Sequence, residues 1–106
     1  MSGPVQHVVL FKFPKELSPE KEKEMFERVR AWPQHIKELT GLRFGKDENG
    51  RSAGFDYLLL TQFDNEEDHQ SYYSQDLHVA FSEWVRDQNA EIIRVDYRLT
   101  PETLLI

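Results

Sequence analysis

The chain has 106 residues, 39% hydrophobic, 30% charged and 12% aromatic, which is the size and make-up of one globular domain spanning 1–106 rather than of a disordered segment. Its formal net charge of -6 argues against a general nucleic-acid binder, because phosphate contacts need clustered Lys and Arg. Cysteine is absent, so disulfides and thiolate metal sites are excluded and a reducing compartment is compatible. Met1–Pro4 carries no basic region, and Val8-Val9-Leu10 is too short for a signal or membrane segment; no membrane partner and a cytoplasmic location are expected.

His7–Phe13 is rich in β-branched and aromatic residues and stops at Pro14, which predicts a first strand. Both of its parities carry apolar residues, so both faces need cover. Ser18-Pro19 supplies an N-cap hydroxyl and a proline for the first helical position. The helix should run to about Trp32, with Met25, Phe26, Val29 and Trp32 as its apolar stripe. Pro33 ends it, and Leu42–Lys46 reads as a short second strand followed by an exposed polar connection over 47–54.

Phe55–Phe63 has a continuous apolar centre and predicts an inner strand covered on two sides. Asp64 stands three residues before Glu67, the spacing of a capping box, and opens a second helix carrying Tyr72 and Tyr73. The pattern breaks after Gln75 and restarts at Asp76, which can cap the new helix and leaves His78 in its first turn. Ala90–Tyr97 predicts a fourth strand, and the apolar ending Leu104-Leu105-Ile106 suggests docking. The order strand, helix, strand, strand, helix, strand is that of the α+β ferredoxin-like βαββαβ plan. Helices would cover one face of its sheet, so the apolar second face calls for another subunit: a homodimer with sheets packed face to face as a dimeric α+β barrel.

The residues suited to chemistry are few. Unpaired N–H groups and the helix dipole disfavour a positive imidazole at His78 and keep it a neutral potential base, although a histidine so placed more often packs or caps. Asp96 lies in an otherwise apolar strand and needs a partner, either the other nitrogen of His78 or a salt bridge to Arg94, Arg98 or a neighbouring strand. His7 opens the first strand and can be a pocket group or a satisfied core histidine. Four histidines without a His-x-x-x-His or comparable pattern predict no side-chain metal site, and nothing signals a nucleotide, flavin or other cofactor.

His7 with the following Val-Val-Leu-Phe-Lys-Phe, then Phe44-Gly45-Lys46-Asp47, His78-Val79-Ala80-Phe81 and Val95-Asp96-Tyr97 together resemble the stress-responsive A/B barrel (Dabb) family, and within it the olivetolic acid-forming type of plant polyketide cyclase. The resemblance spans nearly the whole chain and implies a dimeric α+β barrel. It implies His78 as general base, Tyr72 as the group positioning a substrate oxygen, Asp96 as support for His78, and His7 as a pocket histidine. The pocket it implies takes His7, Val9 and Phe11 from the first strand, Met25 and Val29 from the first helix, Tyr57 and Leu59 from the third strand, and Phe81 and Ile92 beyond. Tyr57 stands where that cyclase has a histidine, and Met25 and Val29 replace bulkier aromatics, which points to a different substrate.

Three readings follow. The first is a homodimer binding a small organic ligand, such as a polyketide, and closing a carbon–carbon bond as a cofactor-independent lyase. The second is a non-enzymatic stress-response or structural dimer. The third is a cofactor-independent monooxygenase, by analogy of fold alone.

Overall fold

The computed structural model describes residues 3–103, so the Leu104-Leu105-Ile106 ending lies outside the described residues. The elements are β1 (Val5–Lys12), α1 (Pro19–Arg30), a 3₁₀ turn (Trp32–Gln34), β2 (Leu39–Lys46), β3 (Tyr57–Phe63), α2 (Glu66–Tyr72), α3 (Asp76–Asp87) and β4 (Glu91–Arg98). The strands form one antiparallel sheet in the order β2-β3-β1-β4. This is the ferredoxin-like arrangement with its second helix broken in two.

Local chemistry sets most boundaries. Ser18 is extended, its hydroxyl accepts the Lys21 N–H at 3.2 Å, and Pro19 takes the first helical position. The α-helix stops at Arg30 rather than Trp32, because Pro33 sits in the tighter turn that follows. β2 begins at Leu39, earlier than its apolar pattern predicts, with an irregularity between Leu39 and Gly41. Phe55 and Asp56 belong to the preceding loop, where Phe55 N–H meets the Ser52 carbonyl at 3.1 Å. The cap of α2 is Asn65, not Asp64: Asn65 is extended and its side chain accepts the Asp68 N–H at 2.8 Å. Gln75, not Asp76, is the N-cap of α3; Asp76 is the first helical residue and its acid faces the dipole without capping.

Alternation along the strands then divides the sheet into two faces. Val5, His7, Val9 and Phe11 of β1 and Tyr57, Leu59, Thr61 and Phe63 of β3 are buried beneath the helices. They join Met25, Val29, Trp32, Ile36, Tyr72, Phe81 and Val85 in one core. The opposite parity puts Val8, Leu10, Leu58, Leu60, Ile93, Val95 and Tyr97 on the other face. Leu58, Ile93 and Val95 are 40%, 42% and 53% exposed there, so a contiguous apolar face stands uncovered in the single subunit. Among the described residues no helix is long and apolar enough to cross a membrane.

Phe63 is fully buried, with its ring 4.9 Å from Tyr72 and 5.1 Å from His69. Phe63→Ala should lower stability by about 3–5 kcal/mol, the usual cost of such a cavity, read as a shifted urea midpoint at unchanged slope.

Candidate active site

β1 is bonded on both edges, which turns His7 inward under the helices, where it is 2% exposed. The β1–β4 register places Asp96 directly opposite on the same face. The His7 Nδ1–H donates to an Asp96 carboxylate oxygen. The base-supporting pair implied for His78 and Asp96 is therefore built on His7, because cross-strand pairing brings Asp96 to β1 rather than to α3.

His78 and Tyr72 meet by another route. Glu38, just before β2, accepts the Ser71 hydroxyl at 3.0 Å and the Gln75 amide at 3.2 and 3.3 Å, pinning both sides of the break between α2 and α3. Tyr72, the last residue of α2, thereby comes to 4.3 Å from the His78 ring, centroid to centroid. His7, Tyr72, Tyr73 and His78 share a cleft of about 230 Å³ with Val9, Phe11, Leu59, Phe81 and Ile92. Ser82, Val85, Arg86, Ala90 and Arg94 complete its walls.

The remaining implied pocket residues lie elsewhere. Met25 and Val29 are consumed by the core beneath α1, where they are 0% and 2% exposed. Tyr57 points to the far end of the sheet, donating its hydroxyl to Glu22 at 2.5 Å beside Lys46. Asp96 supports the cleft from behind His7, with its side chain 46% exposed.

The electrostatics separate the two histidines. Burial pushes the proton affinity of His78 down to about 4; the Tyr73 backbone opposes this, while His7 and Arg94 add to it. Nδ1 of His78 is buried without a hydrogen-bond partner. Burial also lowers His7, but there the Asp96 bond and charge act against it. Burial raises the phenol of Tyr72, partly offset by the Thr61 hydroxyl, and raises Tyr73 to about 12, so both stay protonated as donors.

His69, which has no part in the motif resemblance, is 1% exposed beside His7, with ring centroids 4.9 Å apart. Its Nδ1–H donates to Glu66 at 3.0 Å and its Nε2 accepts the Tyr73 hydroxyl at 2.8 Å. The Glu66–His69–Tyr73 spacing of three and four residues was the available signal. One atom each from His7, His69 and Asp96 lie within 4.8 Å of one another, the spread of a potential metal cluster. Yet Nδ1 of His7 meets Asp96 too closely to admit a cation between them, and His69 has both nitrogens engaged. Hydrogen bonding accounts for the trio.

An antiparallel four-stranded sheet with helices on one face and a small cleft between them define a ferredoxin-like α+β domain. The chain belongs to the Dabb family, the Stress Responsive A/B Barrel Domain, which matches residues 5–99. It is similar to the stress-response A/B barrel domain-containing protein HS1 of Arabidopsis thaliana, 26% identical over 104 residues that cover 96% of this chain and 95% of that protein. A dimeric protein of unknown function from Bacteroides fragilis is 26% identical with a TM-score of 0.77, covering 92% of this chain and 97% of that one. The hydroxynitrile lyase of Passiflora edulis shares the fold at 16% identity and a TM-score of 0.82, over 93% and 95% of the two chains.

His78 takes up a proton more readily unfolded, near the ordinary 6.5, than folded, near 4. Its contribution to stability is thus complete above the unfolded value and declines as pH falls from 6.5 towards 4, by at most about 1.4 kcal/mol per pH unit. Urea midpoints measured across this window should fall less steeply with acidification in His78→Gln than in the parent.

Proposed function

We propose that the chain acts as a homodimer whose apolar sheet faces pack together, each subunit binding a small organic molecule in the cleft and performing cofactor-independent proton transfer at carbon. The observation that carries the chemistry is the His7–Asp96 pair on a cleft that also holds Tyr72 and His78. With Nδ1–H given to Asp96, the imidazole is held in the tautomer whose Nε2 can accept a proton. Asp96 stabilises the imidazolium that results, so the base role falls to His7 rather than to His78.

Tyr72 and neutral His78 supply hydrogen-bond donors for the oxygen of an enolate, which needs donors that do not themselves ionise. On a linear poly-β-ketone the steps balance without a co-reactant. His7 takes a proton from the carbon between two carbonyls, the enolate carbon attacks a carbonyl carbon of the same molecule, and the alkoxide recovers the proton from His7. This is the cyclase-like lyase reading. A dimer is supported by the uncovered face of β1, β3 and β4 and by the dimeric state of the Bacteroides fragilis relative.

A panel of linear poly-β-ketones in D₂O tests the chemistry, with NMR following exchange and ring closure. His7→Ala and Asp96→Asn should each slow proton removal by about 100-fold or more, with Tyr72→Phe and His78→Ala less severe. Absence of any acceleration across the panel would reject the enzyme in favour of a stress-response or structural dimer.

The assembly has its own test. Val95→Glu places a charge at the centre of the open face without touching the core, and should convert a dimer into a folded monomer in sedimentation. A dimer unaffected by this change would place the interface elsewhere.

A further inference from the structure

The chain carries 19 acidic and 13 basic residues, yet the cleft runs against that balance. Its lining holds two arginines, Arg86 and Arg94, and two histidines, and no carboxylate. Arg94 projects from β4 on the helix-covered face, opposite Val9, at the edge of an apolar wall. Asp96, the acid two residues away on the same face, is committed to His7. Neither Arg86 nor Arg94 has a hydrogen-bond or ion-pair partner among the described residues, whereas Arg28 on α1 is held by Glu24 at 2.9 Å. Both arginines are exposed residues that also line an apolar cavity, and a guanidinium not engaged by a protein carboxylate is well suited to a planar, two-oxygen anion.

We infer that the cleft selects small organic acids, with the carboxylate received by Arg94 and Arg86 and the apolar body lying along Val9, Phe11 and Phe81. The inference rests on reading the cleft as a ligand site and specifies the class of ligand. The volume of about 230 Å³ restricts that ligand to a small molecule. Binding would also couple to the base. The charge of Arg94 reaches both His7 and His78 and disfavours their protonation. A bound carboxylate neutralises that charge, so an acidic ligand makes His7 the stronger proton acceptor when the cleft is filled.

The test compares benzoate, phenylacetate and hexanoate with their primary amides at low ionic strength, titrated by NMR with the His7 and His78 ring resonances reporting cleft occupancy. The acids should bind at least about tenfold more tightly than the amides. That preference should collapse in Arg94→Gln and in the Arg86→Gln/Arg94→Gln double variant, with amide affinity retained, and should persist in Arg28→Gln. Equal affinity of acid and amide, or a preference that survives the double variant, would overturn the charge selection while leaving the cleft a ligand site. Absence of any shift at His7 and His78 with every probe would overturn the ligand site itself, and the selection with it.

Discussion

A buried imidazole on the inner strand is the constraint around which this molecule is arranged. β1 is hydrogen-bonded on both edges, so His7 cannot turn away from the helix-covered face without breaking two ladders. At 2% exposure it needs a partner, since an unsatisfied polar group in that position is costly. The register of β4 delivers Asp96, and the same alternation delivers Arg94 and Ile92 to the same face. One cross-strand pairing therefore fixes the tautomer of His7, commits Asp96, two residues from Arg94 on the same face, to His7, and defines a wall of the cleft.

The other wall of the cleft depends on a break rather than on a ladder. Tyr72 and His78 are six residues apart, and on one continuous helix they would stand roughly 120° apart around the axis. The extended backbone of Gln75 ends that continuity, and Glu38 holds Ser71 and Gln75 in the resulting turn, where the two rings meet. The side chain that shapes the site thus comes from a connection outside it.

Sheet and cleft are also linked through the two parities of β1 and β3. One parity supplies the core and the cleft, and the other supplies the uncovered apolar face. The chain belongs to the Dabb family and the Bacteroides fragilis relative is dimeric; an apolar face of this kind has the character that a permanent interface requires. The cleft opens on the helix side of the same sheet, so pairing through the uncovered face would leave its lining chemistry within one subunit.

Much of this was legible in the residues. Strand alternation, the Ser18-Pro19 start, the Gln75–Asp76 break and the βαββαβ order depend on neighbours within a few positions, and those local rules determined the fold class and its two-faced sheet. They misplaced caps by one residue at Asp64 and Asp76, because Asn65 and Gln75 hold the extended backbone that a cap requires. Motif resemblance pointed to His7, Tyr72, His78 and Asp96 as candidates but not to how they pair. That Asp96 serves His7, that Met25, Val29 and Tyr57 leave the cleft, and that His69, Arg86 and Arg94 join its surroundings are consequences of strand register and helix packing between residues far apart in sequence. Periodicity assigns each residue a face; only the assembled sheet decides what that face meets.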